Sequence, residues 1–400
     1  MIFKSKFFRN VNTQLPTIAQ SRALLDSFPE PRDDIDRTAF QYRCRFARAQ
    51  KGKMALFNLV SFAAVPCFLA LYLFNRLFCR PQAHRDAVLI NEKFLAGMSW
   101  RDKLPEELSN EFGAIFVLDF DKYPLLFGGV LDKKALGLWW RGFVRHPFAC
   151  FLNLMSLVHI GSMTRILTEH TPRAVINYMC EFNFVSSMLT ELCESHGCEY
   201  ICFMHGDYLA DENRAFVRYS RLYLWDEHYR KVFDFSRCAP QQYRFYHPAM
   251  YDLDLPDKVP AYDLTYYFSG NDHSAGVVLE VLRQYTAQGK RCKVRPHPRY
   301  TDIPLIRSLF EPAGILVEAP LELSLEDSVA DSRAVAARCS TVLTQAYYAG
   351  KEVYIDDLSD PSYYAEMKER MFIMTGKPHR LLSELYSRPA DEPAVSPKVR

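Results

Sequence analysis

Short apolar runs alternate with stretches of helical periodicity from residue 87 onward, and this alternation predicts an α/β fold with parallel strands. Between the strands of a first set lie helical stretches such as Phe148–Glu169 and Phe184–His196. The predicted strands of this first set are Ala87–Ile90, Ile115–Phe120, Ala174–Met179, Tyr200–Met204 and Leu222–Trp225.

A second α/β set follows a stretch rich in proline and aspartate. Its predicted strands are Leu264–Phe268, Arg291–Arg295, Ile315–Glu318, Ala334–Ala337 and Glu352–Ile355. Its predicted helices are Ala275–Gln288, Pro304–Phe310, Leu325–Ser332 and Val342–Ala349. We therefore predict two Rossmann-like domains, 86–250 and 261–387, that face one another across a cleft. Residues 251–260 are predicted to link them, and residues 388–400 are predicted to form a disordered tail.

An apolar segment of 20 residues, 55–74, follows a basic arm and would be roughly 30 Å long as a helix, the thickness of a bilayer core. Basic residues stand on both sides of it, so the positive-inside rule gives no single orientation. Pro66 should break or kink a helix at its middle. Residues 1–85 are therefore predicted to be a membrane-associated segment, with residues 55–78 as an interfacial or re-entrant hairpin. A buried amphipathic helix remains the alternative.

Composition narrows the class of protein further. The 400 residues carry a net charge of +2, which gives a nucleic-acid partner no electrostatic basis. Eleven cysteines without metal-like C-x-x-C pairs fit reduced thiols in the cytoplasm. We expect a cytoplasmic protein on the inner face of the cell membrane, with no cofactor and no metal. A divalent ion at Asp119 and Asp121 remains an alternative.

Polar residues collect at two predicted strand ends of the second domain. Arg295, His297 and Arg299 alternate with prolines after one strand, and such a cluster of cations is suited to bind an anion. Ser340 and Thr341 follow another strand and precede a helix, where hydroxyls beside free N–H groups can bind phosphate. Plain helix capping is the alternative for the two hydroxyls.

In the first domain, an apolar strand runs directly into His205, Gly206 and Asp207. Gly206 permits a turn there, and a histidine can accept a proton near neutral pH. This pattern predicts an acid–base pair on a loop, and a surface loop with a chance histidine is the alternative. Asn177 and Glu181 follow another strand and are candidates for binding sugar hydroxyls.

Together, the His-Gly pair, His297-Pro298 and Ser340-Thr341 resemble the bacterial GT-B glycosyltransferases that use CMP-activated sugars, such as the sialyl-, polysialyl- and Kdo-transferases. They are also similar to the CDP-glycerol glycerophosphotransferases. The resemblance covers about residues 170–360 and implies that His297, Ser340 and Thr341 contact the nucleotide phosphate. The sialyltransferases carry an acidic motif where this chain has His205-Gly206, which is more like the glycerophosphotransferases.

Our hypothesis is an inverting, metal-independent transfer from a cytidine nucleotide to a glycan or lipid-linked acceptor. His205, oriented or replaced by Asp207, would deprotonate the acceptor, while Arg295 would neutralise charge on the leaving phosphate. Ser269, Gly270, Asn271 and Glu318 would lie near the ribose and base. Three alternatives stay open: a CDP-glycerol-type polyol-phosphate transferase, a nucleotide-sugar 2-epimerase, and a non-catalytic scaffold in polysaccharide export.

Overall fold

The chain forms two compact units, residues 1–248 and 249–400. The computed structural model describes residues 16–91, 103–119, 125–178, 183–270 and 272–386. The predicted tail 388–400 lies outside the described residues.

The first unit is built on a six-stranded sheet in which every neighbouring pair of strands is parallel. Its order is β2-β1-β3-β4-β5-β6. Its strands are β1 Ala87–Asn91, β2 Ile115–Asp119, β3 Ala174–Tyr178, β4 Glu199–Phe203, β5 Arg221–Leu224 and β6 Tyr243–Phe245. Strands β3 and β5 are buried on both faces, as parallel strands covered by helices must be. All five predicted strands are confirmed, and only the three-residue β6 was not predicted, because its exposed Arg244 interrupts the apolar run.

Nine helices accompany this sheet in the described part of the first unit. They are α1 Ile18–Asp26, α2 Asp34–Arg45, α3 Lys51–Arg76, α4 Glu106–Phe112, α5 Leu125–Gly128, α6 Lys133–Arg145, α7 Cys150–His170, α8 Ser186–Ser195 and α9 His228–Phe235. Helix α7 is apolar around most of its circumference and is the most buried of the long helices. Helices α3, α6 and α8 pack against it.

The described N-terminal helices α1 to α3 pack against the rest of the first unit. The rings of Phe28, Phe40 and Phe216 meet pairwise at centroid distances of 5.0 to 5.5 Å. Arg237 donates to the carbonyl oxygens of Leu25 at 2.8 Å and Phe28 at 2.6 Å. Helices α1 and α2 thus share the apolar core of the unit that follows them in the chain.

Helix α3 is one uninterrupted helix through Pro66, so the predicted hairpin is wrong. Packing of α3 on α7 compensates for the hydrogen bond that is lost at the missing N–H of the proline. The buried ring of Tyr72 fits against Gly129 and Gly161, and its hydroxyl donates to the carbonyl of Leu126 at 2.5 Å. Among the described residues, α3 and α7 are the two helices long and apolar enough to cross a membrane.

The second unit carries another parallel six-stranded sheet, in the order β12-β11-β10-β7-β8-β9. Its strands are β7 Tyr262–Tyr267, β8 Cys292–Arg295, β9 Leu316–Val317, β10 Ser332–Ala337, β11 Glu352–Ile355 and β12 Arg380–Leu381. Its helices are α10 Ala275–Ala287, α11 Ile303–Phe310, α12 Leu325–Ala330, α13 Thr341–Tyr348 and α14 Pro361–Glu369. These two parallel sheets confirm the predicted α/β class with two Rossmann-like units, and the predicted helical N-terminal region is present.

The stretch before β7 packs on the second unit. The ring of Tyr251 stacks on Tyr348 of α13 at 5.2 Å, and Gln345 donates to the carbonyl of Met250 at 2.8 Å. Residues just inside the predicted 251–260 linker are thus fixed to the unit that follows them.

Close packing of α3 on α7 makes Gly161 intolerant of a side chain. A Cβ at Gly161 would lie 2.5 Å from the buried ring of Tyr72, which is far inside van der Waals contact. Gly161→Ala should therefore lower the free energy of unfolding by about 1–3 kcal/mol, measured by urea denaturation.

Gly137→Ala in α6 is the matched control, because no atom lies within 4 Å of a Cβ at that helical position. Here alanine should be neutral or stabilise by up to about 1 kcal/mol. Equal effects of the two substitutions would contradict the close packing of Tyr72.

Candidate functional site

Three neighbouring strands of the second unit end in candidate residues at the same edge of the sheet. Strands β10, β7 and β8 are adjacent, and their carboxyl ends lead to Ser340, to Ser269 and Gly270, and to His297. Three adjacent strands cover about 10 Å, so the loops that follow them lie within reach of one small ligand. The carboxyl edge of an open parallel sheet is where such folds bind ligands.

Gly270 and His297 are brought together by Tyr300. The imidazole of His297 stacks on the Tyr300 ring at 4.5 Å. A Cβ at Gly270 would lie 3.1 Å from the carbonyl oxygen of Tyr300, and Gly270 has a φ of +85°. Both features favour glycine at this position. The loop after β7 and the loop after β8 therefore form one continuous surface.

The backbone fixes the tautomer of His297. The N–H of Arg299 donates to Nδ1 of His297 at 3.1 Å, so in the neutral ring the proton is carried by Nε2. The N–H of His297 in turn donates to Oγ1 of Thr301 at 3.0 Å. Burial of the ring and the nearby Arg299 cation both lower the pKa of His297. At neutral pH the ring is a neutral hydrogen-bond donor through Nε2.

Ser340 and Thr341 stand at the start of α13. Ser340 is its N-cap and accepts from the N–H of Val342 at 3.4 Å, so the capping interaction considered as the alternative is present. Both residues are half-buried. The guanidinium of Arg338 lies 4.2 Å over the ring of Tyr363 and 3.8 Å from Asp360. The guanidinium is thus engaged by Tyr363 and Asp360, and the feature beside the two hydroxyls is the N-terminus of α13.

Arg295 and Glu318 form a buried ionic cluster, in contrast to their predicted ligand roles. Glu318 pairs with Lys293 at 2.5 Å and with Arg295 at 3.1 Å, and it accepts from Ser328 at 2.6 Å. Arg295 also donates to the carbonyls of Pro320, Leu323 and Ser324. Both residues are more than nine-tenths buried. Arg295 therefore holds the loop 319–324, and we assign neither residue to a ligand.

In the first unit, His205 lies just beyond the carboxyl end of β4 and is enclosed by polar and aromatic groups. Its Nδ1 is 2.8 Å from the hydroxyl of Tyr208, and its ring meets Tyr178 edge to face at 6.4 Å. The ammonium group of Lys103 donates to the carbonyl of His205 at 3.0 Å and to the hydroxyl of Tyr178 at 3.4 Å. The position of the imidazole is therefore set by three neighbouring side chains.

Asp207 shares this loop and is positioned by a buried tyrosine. The hydroxyl of Tyr229 donates to Oδ1 of Asp207 at 2.6 Å. The rings of Tyr208 and Tyr229 meet at 6.4 Å, so the tyrosines that bond His205 and Asp207 also pack on each other. The structure thus brings the predicted acid–base pair onto one aromatic support at the carboxyl edge of the first sheet.

Asn177 differs from its prediction as a residue that binds sugar hydroxyls. It is 2% exposed and donates through Nδ2 to the hydroxyl of Tyr200. Both faces of β3 are covered, so the side chain of Asn177 is withdrawn from any surface where a sugar could bind. Glu181, Asn271 and Asp121 lie outside the described residues. In the described part of the chain, no group of three or more His, Cys, Asp or Glu could hold a metal ion.

Sequence analysis did not predict four residues that contact the candidate residues. Lys103 and Tyr208 contact His205 in the first unit. In the second unit, Tyr300 contacts His297 and Lys293 contacts Glu318. Lys103 and Lys293 lie far in sequence from the residues they contact, so no local pattern marks them. Tyr300 does stand three residues after His297, and an aromatic residue on an otherwise polar loop was the signal available for it.

Comparisons with known proteins found similar folds among solved structures but no similar sequence. No family model matches the chain, and no curated protein matches it in sequence. Solved structures similar to it include UDP-N-acetylglucosamine 2-epimerase from Rickettsia bellii, with 10% identity, a TM-score of 0.39 and coverage of 69% of this chain and 78% of that one. The calicheamicin glycosyltransferase has 11% identity and a TM-score of 0.37, covering 73% and 82%. The wall teichoic acid polymerase TagF has 10% identity and a TM-score of 0.43, covering 83% and 86%.

The tautomer and pKa of His297 can be tested directly. Since burial and Arg299 both disfavour the charged ring, its titration midpoint should fall below the ordinary value of about 6.5. At pH 7 the ring should be neutral with its proton on Nε2. Long-range nitrogen–proton NMR of the histidine rings measures both quantities.

Arg299→Gln should raise that midpoint, because it removes a nearby cation that opposes protonation. Arg283→Gln, the same charge change at an exposed position of α10, is the control and should leave the midpoint unchanged. A neutral ring with its proton on Nδ1 would contradict the geometry described above.

Proposed function

We propose that the protein is an inverting, metal-independent glycosyltransferase that takes a sugar from a CMP-activated donor of the sialic acid or Kdo type. This proposal is supported mainly by one observation: three adjacent strands end next to Gly270, His297 and Ser340. A glycine without a side chain, a neutral N–H donor and a helix N-terminus are the groups that bind a phosphorylated ligand closely.

In the donor site, the Nε2–H of His297 donates to an oxygen of the nucleotide phosphate. Ser340 and Thr341 bind the same phosphate together with the first N–H groups of α13, whose dipole favours an anion. Ser269 and Gly270 lie beside the ribose, and the exposed ring of Tyr300 extends the same surface. These donors stabilise the charge that develops on the phosphate as the bond to the sugar breaks.

In the acceptor site, His205 acts as the general base. The role requires the tautomer in which Nδ1–H donates to the oxygen of Tyr208, and Nε2 is then the nitrogen that takes the proton of an acceptor hydroxyl. The hydroxyl oxygen then bonds to the anomeric carbon, and the bond from that carbon to the phosphate oxygen breaks. The electron pair leaves with CMP, and the configuration of the carbon inverts. Asp207 orients the loop through Tyr229.

A second candidate is a CDP-glycerol-type transfer of a polyol phosphate to a glycan or lipid-linked acceptor. The observation that favours it is the nature of the base, which here is an imidazole held by Tyr208 rather than a carboxylate. In that reaction the acceptor oxygen attacks the phosphorus next to the polyol, and CMP leaves with the electron pair. Both reactions release CMP, so the group found on the acceptor distinguishes them.

His297→Ala should weaken CMP binding by roughly tenfold or more, because a hydrogen bond to a charged group is lost. Isothermal titration calorimetry with CMP measures this change. His379→Ala is the control, since His379 precedes β12 at the amino edge of the same sheet. Equal affinity of His297→Ala and the unmodified protein would sink the phosphate role.

His205→Ala should reduce the release of CMP from the donor by about 10²–10⁴-fold, the usual contribution of a general base. Its affinity for CMP should stay unchanged, because the proposed base lies in the first unit and the nucleotide is bound by the second. Turnover measured with CMP-sialic acid, CMP-Kdo and CDP-glycerol also separates the two candidates. Full turnover in His205→Ala would leave the non-catalytic scaffold as the better interpretation.

A further inference from the structure

Helix α3 presents a second apolar face that the described protein does not cover. Its residues that face away from the unit are apolar or small from Ala55 to Phe78, and none of them is charged until Arg76. The large exposed side chains are Leu56, Leu59, Val60, Phe62, Leu73, Phe74, Leu77 and Phe78, between 43% and 71% exposed. We call this set the outer apolar face. A surface helix of a soluble protein is usually polar on this side.

The opposite face of α3 is fixed to the unit near both of its ends. Near the start, Asn58 accepts from the N–H of Phe151 at 2.9 Å, and the ring of Phe57 lies 5.3 Å from that of Phe151. Near the end, Asn75 donates to the carbonyls of Phe127 at 2.8 Å and Gly129 at 3.0 Å. These contacts span about 26 Å of helix at about 1.5 Å per residue. The helix therefore lies flat along the unit.

The neighbouring short helix α5 enlarges the outer apolar face. Phe127, which follows the start of α5, stacks on Phe68 of α3 at 5.9 Å with nearly parallel rings. Its own side chain is 62% exposed. The exposed apolar surface thus extends from α3 onto Phe127 and forms a patch that is wider than one helix.

The chain segment that carries the outer apolar face is basic. Between Arg37 and Arg85 the sequence has no Asp or Glu and seven Lys or Arg residues. Of these, Lys51 stands at the start of α3, while Arg76 and Arg80 stand at its end, and all three are exposed. Cations at both ends of an apolar face complement the anionic headgroups of a lipid surface, and their long side chains can reach those headgroups.

We propose that α3 lies in the plane of an anionic lipid bilayer, with the outer apolar face inserted into one leaflet and Lys51, Arg76 and Arg80 among the headgroups. A helix that spans a bilayer must expose its whole circumference to lipid or to other membrane helices, whereas one side of α3 is occupied by the packed core of the first unit. This proposal does not depend on the proposed transferase activity.

Vesicle flotation of the full chain tests the proposal. The protein should float with vesicles of phosphatidylcholine containing phosphatidylglycerol, less so with pure phosphatidylcholine, and binding should fall as salt is raised. The triple variant Phe62→Ser, Phe74→Ser, Phe78→Ser should lose at least roughly tenfold in binding, since it removes three inserted rings. These rings are exposed, so the thermal unfolding temperature should stay close to that of the unmodified protein.

Val259→Ser combined with Val277→Ser is the matched control, because both side chains are exposed apolar groups of the second unit. This control should bind vesicles like the unmodified protein. Should the triple variant fail to fold, Arg76→Gln with Arg80→Gln supplies a second test, since it should weaken binding to anionic vesicles alone. Unchanged flotation of the triple variant would overturn the proposal.

Depth measurements distinguish a helix in the plane from one that spans. Nitroxide labels at Leu59→Cys, at the native Cys67 and at Phe74→Cys should report the same shallow depth in vesicles. A label at Cys67 deeper than the other two would show a spanning helix and overturn the in-plane arrangement. A dimer in solution that dissociates in the triple variant, without vesicle binding of the unmodified protein, would assign the face to a second copy instead.

Discussion

Parallel alignment of the strands is the constraint on which the rest of this structure depends. In each unit every strand ends at the same edge of its sheet, so residues that are distant in sequence meet there. His297 and Ser340 are 43 residues apart, yet they follow strands separated only by β7. A short loop after each strand is then enough to build a ligand surface, and the helices that return the chain supply N-termini beside it.

The same edge also has to accommodate charge inside the fold. Glu318 lies between Lys293 and Arg295, and all three side chains are withdrawn from water. Lys293 also pairs with Asp331 at 2.9 Å, whereas Glu318 is the carboxylate that pairs with Arg295. Removal of Glu318 would therefore leave the buried charge of Arg295 uncompensated, which is strongly destabilising. Arg295 also donates hydrogen bonds to carbonyl groups of the loop 319–324. The cluster therefore supports the edge from within, while His297 and Ser340 remain at its surface.

In the two candidate histidines, His205 and His297, the group bonded to Nδ1 bears on whether Nε2 donates or accepts a hydrogen bond. In His297, a backbone N–H occupies Nδ1 and makes Nε2 a donor, and burial keeps the ring neutral. In His205, the phenol of Tyr208 lies 2.8 Å from Nδ1, and the proposed role as a base requires the tautomer in which Nδ1–H donates to that phenol. A donor suits a leaving phosphate, and an acceptor suits the removal of a proton from a hydroxyl.

The sequence alone determined the two parallel sheets, ten of their strands and the placement of His205, His297 and Ser340 at strand ends, because apolar periodicity and strand boundaries are local properties. Only the tertiary structure decided which polar residues are buried in contacts within the protein and which are exposed to a ligand. Arg295, Glu318 and Asn177 carry the same local signals as ligand-binding residues, but contacts with Lys293, Ser328 and Tyr200 bury them. It also decided that residues 51–76 form one continuous helix, since packing on α7 outweighs the local preference of Pro66 to break it. Such contacts join residues far apart in the chain, and no local pattern specifies them.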